Sequence, residues 1–155
     1  MRISQSRAKD RGCRFLDSVL LICTLIFLNT ACEVPNLDPP ECTDSRTALR
    51  EFYSFHFGNE MGFSNKGLEA RKRFITGELF EIAKLSAEGT DPFTSGTDDI
   101  PRAFRVAACR SLSADRTEFD VLLFWKDEDR SEQRVILVET VNREGKWLAS
   151  RIIRN

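Results

Sequence analysis

Histidine and tyrosine each occur once in the 155 residues, as His56 and Tyr53. Chemistry that needs an imidazole must therefore run through His56 alone. Common catalytic signatures are also missing. The chain has no glycine-rich phosphate loop, no cysteine pair at zinc spacing and no nucleophile elbow around a serine. Neither a cofactor nor a metal is expected on that basis. Excess positive charge is absent too: the net charge is −1, without the basic face that nucleic acid requires. No apolar run reaches the ~20 residues of a bilayer-spanning helix. Internal repeats and low-complexity segments are lacking. The length suits one domain with a real core and not two.

What is present starts with an asymmetry. Five of the basic side chains (Arg2, Arg7, Lys9, Arg11, Arg14) and only two acidic ones (Asp10, Asp17) precede Cys32, which leaves 18 basic against 22 acidic beyond it. A greasy run follows the basic segment, from Val19 to Leu28, and then the small residues Asn29-Thr30-Ala31 lead to Cys32. Basic, apolar, small is the order of a secretory signal. Residues 1–31 are therefore expected to be a leader removed on export. The string Leu28-Asn29-Thr30-Ala31-Cys32 resembles a bacterial lipobox. That resemblance implies that Cys32 becomes the lipidated N-terminus of a membrane-anchored envelope protein. Simple cleavage after Ala31, giving a secreted protein, is the alternative. By the sorting rule of such lipoproteins, Glu33 would favour the outer membrane, on its periplasmic side, in a Gram-negative host. Residues 32–43 then form the lipid anchor and a tether kept extended by Pro35, Pro39 and Pro40. The folded domain is expected over 44–155.

Of the five cysteines, Cys13 and Cys23 belong to the leader and Cys32 to the anchor. Cys42 and Cys109 remain. In an oxidising compartment an even pair suggests a disulfide; two free thiols are the alternative.

The first half of the domain has helical spacing. Leu49, Phe52, Tyr53 and His56 lie at i, i+3, i+4 and i+7 in a helix expected from Arg46 to about Phe57, capped by Asp44 or Ser45. Ser64 or Asn65 caps a second, Lys66 to about Phe74, whose Arg71-Lys72-Arg73 reads as a solvated face. Thr76 caps a third, to about Ser86, burying Leu79, Phe80, Ile82 and Ala83. A polar loop runs from Thr90 to Pro101. The second half alternates as strands: Ala103 to Leu112, Glu118 to Lys126, Gln133 to Val141 and Lys146 to Arg154. Asn142 to Lys146 fits a three-residue hairpin loop with Gly145 in the left-handed position. That loop would pair Val141 with Trp147 and place Trp147, Glu139 and Arg151 on one face. Helices followed by an antiparallel meander make an α+β layer fold, N-terminal helices packed on a curved antiparallel sheet of about four strands.

The string from Phe52 to Ser64, with Phe74 to Phe80, Asp91-Pro92-Phe93-Thr94 and Gly145-Lys146-Trp147-Leu148, resembles an uncharacterised family of bacterial envelope proteins of cystatin-like, nuclear-transport-factor-2-like fold. The resemblance spans about Thr47 to Ile153. It implies a cone with a hollow between sheet and helices, and it transfers no activity.

Three groups of residues are candidates for function. Tyr53 and His56, one helical turn apart, form either an acid–base pair in the hollow or a core pair fixing helix to sheet. Asp91, with Asp98 and Asp99, forms either a cation site or, as the family resemblance favours, a clasp in which Asp91 caps backbone amides and Phe93 plugs the hollow. Glu139 and Arg151, near Trp147, line either a ligand pocket or form a cross-strand ion pair. The function expected first is a non-enzymatic envelope module binding a small ligand, a cell-wall component or a protein partner, with a homodimer through the open sheet face as one arrangement. A small enzyme using Tyr53 and His56 for dehydration or isomerisation is the alternative.

Overall fold

The structure, a computed structural model, describes residues 38–154. The expected leader, Cys32 and the first part of the expected tether lie outside the described residues. Among the described residues, 38–154, no helix is long and apolar enough to cross a membrane.

Helix α1 spans Pro40–Phe57 and starts six residues before the expected Arg46. Pro40 sits in the first turn, where a helix needs no N–H donor and the fixed φ of proline suits it. Residues 40–43 of the expected tether are therefore helical. Asp44 and Ser45 are not caps. Ser45 is instead fully buried and bonded to Thr117 Oγ1 at 2.9 Å, and Thr117 in turn meets Thr140 at 2.7 Å. This ladder of three hydroxyls joins α1 to two strands. Helix α2 (Asn65–Arg71) is capped by Ser64, whose hydroxyl accepts from Gly67 N at 3.1 Å, and runs on into a 3₁₀ turn, Lys72–Phe74. Helix α3 (Gly77–Ala83) is capped by Thr76. It is shorter than expected. Leu79, Phe80 and Ala83 are buried, but Ile82 is 61% exposed, because two turns present only one narrow stripe to the core.

Four antiparallel strands follow in meander order: β1 (Ala103–Ser113), β2 (Arg116–Lys126), β3 (Ser131–Arg143) and β4 (Lys146–Arg154). The fold is thus α+β, with α1 and the sheet sharing one core. Leu49, Phe52 and Tyr53 of α1 meet Phe119, Val121 and Leu123 of β2 and Val138 of β3 there. In β2 the expected inward set, Phe119, Val121, Leu123 and Trp125, is buried throughout, and Leu122 on the other face is buried as well.

Irregularities in β1 and in the last hairpin reset the faces. In β1 the register shifts between Val106 and Cys109. A bulge adds one residue, so Cys109 joins Val106 on the inner side and Leu112, expected inward, is half exposed. Arg46 of α1 covers this bulge, its guanidinium donating to Ala107 O and, at 3.4 Å, to Val106 O. Cys109 then bonds Cys42 of α1 in a disulfide closing a separation of 67 residues. A further irregularity lies in the last hairpin. Arg143 pairs with Lys146, so the turn has two residues, Glu144 and Gly145, with φ of 55° and 85°. Those angles are the pattern of a type I′ turn. Val141 therefore opposes Leu148, not Trp147, and Trp147 opposes Asn142 on the inner face. A compensating shift between Glu139 and Thr140 places Glu139 directly opposite Arg151 on the outer face.

Candidate functional site

The candidate residues fall into two places that do not touch the same surface. Tyr53, His56 and Asp91 form one of them, inside the core, with no exposed surface on any of the three. Helical spacing puts Tyr53 and His56 on the inward stripe of α1. The loop after α3 then delivers Asp91 to them. Tyr53 Oη donates to Phe93 O at 2.9 Å. His56 Nε2 faces both oxygens of Asp91, at 3.0 and 3.1 Å. Asp91 also accepts from Phe93 N at 2.9 Å and from Thr94 Oγ1. This is an Asx turn closed on an imidazole. Phe93 is 2% exposed and packs edge-on against Phe52, ring centroids 5.4 Å apart. The space where a hollow was expected is filled by Phe52, Tyr53, Phe93 and Phe119. Beside Arg71 and Phe93 there remains a gap of about 10 Å³, room for at most one water.

Arg71 is the residue the sequence reading missed. It is 3% exposed, not part of a solvated face; only its neighbours Lys72 and Arg73 are. Its Nε donates to His56 Nδ1 at 2.7 Å, Nη1 to Gly67 O at 2.6 Å and Nη2 to Glu60 O at 2.5 Å. Nothing in the spacing of Arg71-Lys72-Arg73 marks the first of the three as buried. The signal was an unmet acceptor elsewhere: His56 lies on the inward stripe of α1, and one nitrogen of its ring had no assigned partner. Burial lowers the Arg71 pKa, and Asp91 and Glu60 act against that shift. Burial, assisted by the charge of Asp91, raises the Tyr53 phenol far above its ordinary value. No buried side-chain nitrogen or oxygen among the described residues lacks a partner. An acid–base pair acting on substrate needs an open proton position; here each such position is occupied by protein.

The three loop aspartates part company. Asp91 is in the core, Asp98 is exposed, and Asp99 takes both forks of Arg130 at 3.0 Å, which holds its carboxyl below the usual range. Among the described residues no three potential ligands converge as a metal site. Trp125 is covered by Arg134 and Arg130, 4.7 and 5.4 Å from its ring, so this cluster straps the loop to the β2–β3 hairpin.

Glu139 and Arg151 define the second place, on the outer sheet face. Glu139 is 8% exposed. Its Oε2 takes Arg116 Nη2 at 2.9 Å and its Oε1 faces Arg151 Nη1 at 3.5 Å. Direct pairing of Glu139 with Glu118 would oppose like charges; Arg110 neutralises Glu118 at 2.7 Å. Glu139 and Arg151 open onto a polar groove of about 460 Å³ that also holds Arg143, Glu78 and Asp115. Trp147 and Asp91, expected to bind ligand with them, lie on the other side of the sheet and in the core. Arg116 and Arg143 were not singled out from the sequence; their position follows from register alone.

No family model matches the chain, and no curated protein matches it. In fold it is similar to a solved structure from Bacteroides thetaiotaomicron, described as a protein of unknown function, at 15% identity and a TM-score of 0.48, over 88% of this chain and 98% of that one.

Proposed function

We propose that the chain is an exported envelope lipoprotein, anchored through Cys32, whose domain is a non-enzymatic binding module. The disulfide between Cys42 and Cys109 is the observation that carries this reading. Such bonds persist in oxidising compartments and are rare in the cytosol, which agrees with a leader ending before Cys32. The long α1 laid over a four-strand meander supports the cystatin-like, nuclear-transport-factor-2-like cone as its fold type. The binding site of this module is the groove beside Glu139, where charged side chains meet solvent. Tyr53 and His56 are its core pins, since their polar atoms are spent on Phe93, Asp91 and Arg71. Two acyl chains at Cys32, each methylene contributing about 0.8 kcal/mol, make the anchor persistent.

Metabolic labelling with palmitate tests the reading in a bacterial host. The intact chain takes up label and stays with membranes, and Cys32→Ser abolishes the label. Label on neither chain, with the protein recovered from the cytosol, would overturn it.

A further inference from the structure

The groove at the turn end of the sheet carries three guanidinium groups, Arg116, Arg143 and Arg151, and three carboxylates, Glu78, Asp115 and Glu139. Its charges balance, but they are not all paired with one another. Glu139 is the pivot. From β3 it holds Arg116 of β2 on one side and Arg151 of β4 on the other. Each contact engages one nitrogen of a group that has five N–H donors in a planar fork. Both arginine side chains stay more than half exposed, at 53% and 65%. The nearly buried carboxylate thus fixes two arginine heads in position while leaving donors for something else. Glu78 and Asp115 make no ion pair with a described residue. Both carboxyls are held below the usual range, Glu78 by backbone N–H at the start of α3 and Asp115 by the Ser113 hydroxyl, so both are ionised at neutral pH.

A plain anion entering this groove meets the two forks but also the carboxylates of Glu78 and Asp115, which Arg143 acts on without closing an ion pair. A plain cation meets the reverse. A ligand bearing both charges satisfies both sets and brings no net charge into a lining that has none. The volume of about 460 Å³ takes a short peptide. We propose that the groove binds a dipolar ligand of the peptide class, its free carboxylate held by Arg116 and Arg151 and its free ammonium by Glu78 and Asp115. The proposal rests on reading the groove as the binding site of the module. Its ligand chemistry is that of a free amino acid or short peptide, and a zwitterionic phospholipid headgroup is the competing source of the same charges.

The test is calorimetric titration of the full chain, held in detergent micelles, with four probes: the dipeptide Ala-Ala, its N-acetyl form, its C-terminal amide and glycerophosphoethanolamine. Free Ala-Ala binds, and each blocked form binds about tenfold more weakly, the effect of one charge-assisted contact. Arg151→Gln and Glu78→Gln, both at the surface, each weaken Ala-Ala severalfold, and Arg134→Gln, outside the groove, leaves it unchanged. Blocked forms binding as well as Ala-Ala would overturn the dipolar class while leaving the groove as a site. Tighter binding of glycerophosphoethanolamine would overturn the peptide class in favour of a lipid headgroup. No heat from any probe up to about 10 mM, a regime weaker than ~3 kcal/mol of binding, would overturn the site itself. The palmitate experiment is independent of all these outcomes, so an unlabelled chain that still binds Ala-Ala sinks the anchor and not the groove.

Discussion

Arg71 Nε donates to His56 Nδ1 across 2.7 Å, and that bond decides the charge of the imidazole. A guanidinium is always a donor, so Nδ1 must be an acceptor without a proton. The ring proton then sits on Nε2 and points at Asp91. His56 is neutral in this arrangement and relays between a buried cation and a buried anion. It is a structural spacer, held on both sides.

The lone histidine makes this directly visible. In a nitrogen-15 spectrum of the labelled chain, one imidazole nitrogen is protonated and the other carries no proton, with the proton on Nε2. Protons on both nitrogens at neutral pH would mean that Arg71 does not make the bond.

Removing the anion strands the cation. Asp91→Asn keeps the size of the side chain but leaves Glu60 as the one carboxylate acting on the buried Arg71 charge, and stranding a buried charge costs up to roughly 3–5 kcal/mol. Denaturant unfolding should show that loss. A change below about 1 kcal/mol, the scale of exposed ion pairs, would place Arg71 in solvent.

The single tyrosine reports on the same cluster at high pH. Burial raises the folded-state pKa of Tyr53 above the ordinary value of 10.0. A raised pKa favours folding while the phenol is neutral, so the contribution is complete below pH 10 and is lost as pH climbs beyond it. Phenolate absorbance should therefore appear only together with unfolding. A reversible phenolate titration centred near pH 10 in folded protein would contradict the burial.

The disulfide ties α1 to the bulged strand. Replacing Cys42 and Cys109 by serine opens a loop of 67 residues, and the chain-entropy model assigns about 4 kcal/mol to its closure. Thermal unfolding of the double variant against the oxidised chain measures this. Equal midpoints would show that the bond adds nothing to stability.

How much could be read in advance depended on whether the cause was local. β2 was legible because Phe119, Val121, Leu123 and Trp125 recur at every second position and are all buried. Ser64 and Thr76 were legible as caps, since each hydroxyl bonds a backbone amide three residues on. The β1 bulge was not, because Ala107 and Ala108 give no pattern of their own; Arg46, 60 residues away, covers it. The last turn was misjudged by one residue, because Glu144 takes a positive φ that glycine would normally supply. That one residue moved Trp147 across the sheet and removed it from Glu139. His56 and Asp91 were both singled out, but their meeting depends on a loop closing over 35 residues. Arg71 shows the same limit: its charge predicted solvent, and only the folded arrangement supplies three acceptors for it.

Intact-mass and peptide mapping of the protein recovered from membranes of an expressing bacterium tests the export reading most directly. The predicted product begins at Cys32, carries acyl chains on it and yields Cys42 and Cys109 in one disulfide-linked pair of peptides. A chain that still begins at Met1, without lipid and with both thiols free, would contradict it.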